Sequence, residues 1–142
     1  MKKKRKSKSI STPNKSQTWY RKKCVAHAKQ EAKERDGYIC QRCGRSKEQG
    51  YQMHGSHNKS EGLYKSMSAD MDNILTLCAI CHFWWHENPL DSARWFKEKY
   101  PNLEKILRIR AQKPKSIDWK TAYMEQKFID FMDKPLDIKI PF

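Results

Sequence analysis

Three features of the sequence predict a small α+β fold. Two Cys-x-x-Cys pairs, Cys40/Cys43 and Cys78/Cys81, stand 34 residues apart. Between them lie two short stretches with strand character, 50–58 (GYQMHGSHN) and 73–77 (NILTL). On both sides, apolar residues recur at helical spacing among charged ones. The chain has 142 residues, 37% of them hydrophobic and 32% charged, with a mean hydropathy of −1.01. That length suits one small domain with tails, and the core it can build is small enough to need a staple. No run of 18 apolar residues is present, so a membrane-spanning helix is not expected. No apolar stretch follows the basic start, so a secretory leader is not expected either.

Residues 1–17 are rich in lysine and serine and are expected to be a disordered basic tail. Residues 1–23 hold ten of the thirty Lys and Arg and no acidic residue, so most of the formal charge of +14 sits at this end. Such a tail reads as a nucleic-acid arm, as a solvated extension, or, at Lys2-Lys3-Lys4-Arg5-Lys6, as a nuclear address. An N-terminal helix is expected over 18–35, carried by Trp19, Tyr20, Cys24, Ala28 and Ala32 and stopped at Asp36-Gly37. The core follows over 36–88: the first cysteine turn with Gly44, a strand at 50–58, a polar loop to 71, an extended stretch at 73–77, and a helix from the second pair through His82 and His86 to Asn88-Pro89. Residues 89–142 are a helical extension. It has one helix from Pro89 to Tyr100, a second from Pro101 to about Ala111, and a third over 117–133; an extended tail at 135–142 ends the chain. No internal repeat is present.

Each cysteine turn presents two sulfurs toward one point, and two such turns suit tetrahedral zinc. Paired disulfides are the competing reading, and they suit secreted chains. Structural zinc on Cys40, Cys43, Cys78 and Cys81 would replace core that this sequence lacks. Cys24 falls inside a helical pattern and reads as a packed thiol.

Four of the five histidines, His54, His57, His82 and His86, lie between the cysteine pairs or just after them. His82 and His86 are four apart and share a helix face, where two imidazoles can bind a divalent ion. His86 also reads as a surface residue near a helix end.

The order Gly55-Ser56-His57, Asn73 and Leu77-Cys78-x-x-Cys81-His82, framed by the cysteine pairs, resembles the HNH endonuclease family over residues 36–88, with a weaker likeness to small phage-encoded members through Asn88-Pro89-Leu90 and Trp95-Phe96-Lys97. The resemblance implies a ββα-metal, treble-clef-like core and metal-dependent hydrolysis of DNA phosphodiester bonds. It implies that His57 is the general base, that Asn73 holds the His57 ring through its side-chain carbonyl, and that His82 binds a divalent ion (Mg²⁺, Mn²⁺, Ni²⁺ or Zn²⁺), with His86 like the extra helical ligand of the colicin-type branch. One departure stands out. Many members carry Asp or His directly before the base, and this chain carries Ser56; His54, on the same strand face as Ser56, is the substitute ligand.

Arg42, Arg45, Lys47, Lys59 and Lys65 are the phosphate-contact candidates near the site, with Lys59 and Lys65 foremost because their loop joins the base to Asn73. Lys105, Arg108, Arg110 and Lys113 form a second candidate basic face. Trp84 and Trp85 are expected to pack against the helices that follow. The implied partner is double-stranded or branched DNA, in the cytoplasm of a bacterial or phage-infected cell, in packaging, recombination or defence. The alternatives are a non-catalytic zinc DNA-binding module and a junction-selective recombination nuclease.

Overall fold

The computed structural model describes residues 14–133. The disorder expected of residues 1–13 and the extended tail at 135–142 lie outside the described residues, while the rest of the expected tail leads into a helix that Ser16 caps and Gln17 opens. The first helix, α1 (Gln17–Arg35), starts one residue earlier than the periodicity suggests, because Ser16 caps it: the Ser16 hydroxyl accepts from the Trp19 amide at 3.2 Å. It ends where expected. Asp36 accepts from the backbone amide of Thr76 at 3.1 Å and pairs with Arg35 at 2.9 Å, so the end of α1 is tied into the sheet.

The sheet has two antiparallel strands, β1 (Met53–His57) and β2 (Ile74–Cys78), in register from Met53↔Cys78 to His57↔Ile74. The alternation of side chains along a strand divides this hairpin into two faces. Gly55 and Thr76 face α1: the Thr76 hydroxyl donates to the Ala32 carbonyl at 3.2 Å, and Ile74 packs with Ala28 and Ala32. His54, Ser56, Leu75 and Leu77 face the other way. There, Leu75 and Leu77 join a core with Trp85, Phe96 and Leu107.

α2 (Ala79–Glu87), α3 (Pro89–Lys99) and α4 (Pro101–Gln112) follow β2 with almost no linker. Pro89 and Pro101 open α3 and α4, positions where the missing amide hydrogen costs nothing. Trp85 stacks edge-on against Trp95 and Phe96, and Trp84 edge-on against Trp95, as expected of tryptophans that pack against the next helix. α5 (Trp119–Met132) returns to α1: Trp19 and Tyr20 meet Tyr123, and Gln17 donates to Asp118 and accepts from the Trp119 amide. The fold is α+β with a two-stranded sheet, as predicted. None of the helices among the described residues is long and apolar enough to cross a membrane.

Candidate metal centre and catalytic site

The four cysteines of the two pairs converge. Their sulfurs all lie within 4.8 Å of one another, with Cys43 Sγ and Cys78 Sγ at 3.7 Å. All are free thiols, so the disulfide reading is excluded. Gly44 closes the first turn at φ +77°, a left-handed conformation that a side chain would strain. Cys78 caps α2, its sulfur accepting from the Cys81 amide at 3.4 Å. The helix terminus favours negative charge on that sulfur. Burial opposes ionisation of Cys40, yet backbone donors at Cys43, Cys78 and Arg42 outweigh it and pull this thiol down; burial pushes Cys81 up. This donor set fits zinc.

Two arginines attend the sulfurs. Arg42 Nη1 donates to Cys81 Sγ at 3.4 Å while its guanidinium lies 3.6 Å over the Trp84 ring. Arg45 Nη1 donates to Cys43 Sγ at 3.8 Å and lies over Tyr51. Both were expected to contact phosphate. One donor of each meets a cysteine sulfur here, and the sulfur that Arg42 reaches lies 39 residues away in the sequence.

Cys24 sits apart on α1, half-buried, its thiol pushed up by burial, in keeping with a packed residue.

The histidines gather beside this centre. The His54 and His82 ring centroids are 5.0 Å apart, those of His82 and His86 4.7 Å, and His82 Nε2 lies 3.0 Å from His86 Nε2. His82 is the middle ring of this chain. Among the described residues the four cysteines, and not these three histidines, form the group close enough together to hold an ion as it stands. Burial, then the charges of His86, His54, Lys29 and His57, push the His82 imidazole down to about 4, so it is neutral and metal-ready at neutral pH. Next to His54, on the same strand face, Ser56 is 2% exposed and its hydroxyl is the buried side-chain polar atom that lacks a hydrogen-bond partner among the described residues. A buried hydroxyl without a partner costs free energy. A hydrated cation on the neighbouring imidazoles would supply the missing contact, so the orphaned hydroxyl fits a second, divalent ion here.

His57 ends β1. Its Nε2 lies 2.7 Å from the Ser68 carbonyl. A carbonyl only accepts, so Nε2 carries the hydrogen and Nδ1 keeps its lone pair. Burial lowers the His57 pKa; the Ser68 carbonyl opposes this and the Lys29 charge adds to it, leaving the ring below its ordinary value.

Asn73 does not hold the His57 ring. It lies in a 3₁₀ turn (Met71–Asn73) ahead of β2, fully buried, and both ends of its amide serve the loop backbone. Its Oδ1 accepts from the Lys59 amide at 2.7 Å; its Nδ2 donates to the carbonyls of Lys59 and Met67 at 3.0 and 3.1 Å. Asn73 thus fixes the loop one residue from the Ser68 carbonyl, and that carbonyl orients His57. The loop contains a short 3₁₀ turn, Lys65–Met67, that its polar composition conceals.

Lys59 is half-buried and Lys65 exposed in that loop. Two of the four residues of the second basic face are paired internally: Arg110 with Asp70 and Asp72 at 2.8 Å, and Arg108 with Glu104 at 3.5 Å. These pairs also engage the aspartates closest in sequence to Asn73. Sequence reasoning did not bring Lys29 of α1 against Gly55 of β1, where a side chain on the glycine would collide with it.

Residues 40–83 match the family model described as HNH endonuclease. The match spans both cysteine turns, the hairpin and its loop, and α2 through Phe83; His86 and Lys29 lie outside it. No curated protein and no solved structure matches the chain.

Proposed function

We propose, from a chain whose residues 40–83 match the HNH endonuclease model, that this protein is a metal-dependent endonuclease that hydrolyses DNA phosphodiester bonds and leaves 5′-phosphate ends. The observation that carries the reading is the hydrogen bond from His57 Nε2 to the Ser68 carbonyl, which sets a neutral imidazole with Nδ1 free to take a proton. The chemistry runs from that atom. Water attacks phosphorus as its proton passes to His57 Nδ1, and the bond from phosphorus to the 3′ oxygen breaks on the opposite side. His82, His54 and His86 would hold the divalent ion. That ion, when bound, supplies charge neutralisation at the scissile phosphate and the departing 3′ oxygen. With imidazoles and a hydroxyl in place of a carboxylate, the set favours Zn²⁺, Ni²⁺ or Mn²⁺ over Mg²⁺. Asn73 is a positioning residue that acts through the loop and Ser68. Cys40, Cys43, Cys78 and Cys81 hold structural zinc. Lys59 and Lys65 are proposed phosphate contacts, and Arg42 and Arg45 support the zinc centre.

Plasmid nicking with Mg²⁺, Mn²⁺, Ni²⁺ or Zn²⁺ tests the reading. Cutting by the wild type and its loss in a folded His57→Ala variant are expected. Equal cutting by both would overturn the role of His57. DNA binding without cutting under every ion would favour a binding module. Linear duplex, single strand, flap and four-way junction substrates then separate general from structure-selective cleavage, and a role in packaging, recombination or defence is to be sought among phage or bacterial partners.

A further inference from the structure

Beside the histidines sits a cation that belongs to neither the hairpin nor α2. We propose that Lys29 of α1 is a substrate-contacting residue of this site, its ammonium binding the scissile phosphate and offsetting the negative charge that builds on the non-bridging oxygens. The proposal rests on the nuclease reading above.

Three observations carry it. Gly55 lies between Ser56 and His54 on β1, and a Cβ built there would come 2.7 Å from Lys29 Cγ, 2.9 Å from Lys29 Cβ and 3.2 Å from Ile74 Cγ2. Contacts under 3.0 Å with the base of a side chain cannot be relieved by moving its tip. The strand glycine is therefore what lets the base of the Lys29 side chain lie against β1, two residues before His57. Second, Lys29 is half-buried, and no acidic side chain among the described residues is within ion-pair distance of it. The nearest loop carboxylate in the electrostatic environment of His57, Glu61, is paired with Arg21 instead. A half-buried cation without a counter-charge has lost part of its hydration and is suited to receive an anion. Third, the Lys29 charge bears on both His57 and His82. A phosphodiester lying between the base and the ion site would bring the missing negative charge.

In the reaction Lys29 transfers no proton. The proton from water goes to His57, the electron pair of the broken bond goes to the 3′ oxygen, and the ammonium stabilises charge on the two oxygens that stay with phosphorus. Because that charge grows toward the transition state, Lys29 acts more on kcat than on KM.

The test uses the full-length, zinc-loaded chain and a defined DNA duplex. Lys29→Met keeps the stem that packs over Gly55 and removes the charge; Lys29→Arg restores a cation. The expected result is a kcat loss of about tenfold to a hundredfold in Lys29→Met, with KM changed by less than about threefold and partial rescue in Lys29→Arg. A separate arm measures binding of uncut duplex in a His57→Ala background as salt rises. Loss of one phosphate contact lowers the slope of log K against log salt by about 0.9. Unchanged kcat together with an unchanged slope would overturn the proposal. If the wild type cuts under no ion, the nuclease reading falls, and the slope alone decides whether Lys29 meets phosphate: a reduced slope upholds the contact and an unchanged slope refutes it.

Discussion

Asn73 and Lys59 exchange two hydrogen bonds: the Lys59 amide donates to Asn73 Oδ1 at 2.7 Å, and Asn73 Nδ2 donates back to the Lys59 carbonyl at 3.0 Å. With the further bond to Met67, one buried side chain closes the loop that presents the Ser68 carbonyl to His57. Asn73→Ala removes three hydrogen bonds: the part-buried Lys59 amide and carbonyl lose their partners, and the Met67 carbonyl keeps only the Asp70 amide. At about 1 kcal/mol each, and more where a group stays unsatisfied, the expected loss of stability is about 3 kcal/mol. Thermal denaturation measures it, and hydrogen exchange at the Lys59 amide should accelerate with it. Cutting should fall as well, because His57 loses its orienting partner; a variant that melts lower but cuts like the wild type would refute the positioning role.

Ser56 gives opposite signs for two measurements. Its hydroxyl is buried and unpartnered in the chain. Ser56→Ala is therefore expected to leave the zinc-loaded protein as stable as before, or up to about 1 kcal/mol more stable. Affinity for the second divalent ion, read by calorimetric titration, should drop several-fold as the contact to its hydration shell is lost. Equal affinity in both proteins would remove Ser56 from the ion site.

The cysteine centre sets the stability of the whole core. Zinc binding in small zinc domains is worth about 10–16 kcal/mol, as much as the total stability of an ordinary domain, about 5–15 kcal/mol. One tightly held zinc per chain is expected by elemental analysis, and a strong chelator should abolish the helical circular dichroism of the core. Retention of native structure after zinc is stripped would count against a structural role for the metal.

Arg42 and Arg45 carry two positive charges against the two negative charges left on a zinc ion bound by four thiolates. Hydrogen bonds to charged groups are worth about 1.5–3 kcal/mol, so Arg42→Ala should speed zinc transfer to a colorimetric chelator by about tenfold or more. Its effect on the salt dependence of DNA binding should be small. The reverse pattern would restore Arg42 to the phosphate contacts.

The pH profile follows from His57. Its folded-state pKa lies below the ordinary 6.5, through burial first and the Lys29 charge in addition. The base therefore stays neutral as pH falls through 6.5, and the acid limb of kcat/KM, measured with the divalent ion saturating, should lie below 6.5. The contribution of His57 to stability has the same direction: it is whole above 6.5, where folded and unfolded chains both leave the ring neutral. It drains as pH falls from 6.5 toward the lower folded value, because the unfolded chain takes up the proton first. An acid limb at or above 6.5 would exclude His57 in this environment as the base.

The cysteine spacing, the capped and proline-bounded helices and the His82/His86 pair were legible in the amino-acid order because each is a local pattern: two sulfurs on one turn, four residues on one helix face. The strands were legible as short extended stretches, though not the 3₁₀ turns at Lys65–Met67 and Met71–Asn73, whose polar loop composition carries no period. The resemblance drawn from that order named His57 and Asn73 but gave Asn73 the wrong partner, since a side-chain amide reaches whatever backbone the loop brings to it.

Sequence alone thus determined which four cysteines can hold a metal ion, the element order and which histidines share a helix. Tertiary structure decided that Arg42 and Arg45 face sulfur, that Asn73 holds a loop, that Ser56 is buried without a partner among the described residues, and that Lys29 packs against Gly55. Those relationships depend on how α1, the hairpin and the cysteine turns dock on one another, and docking joins residues far apart in the chain whose local sequence does not record the distance between them.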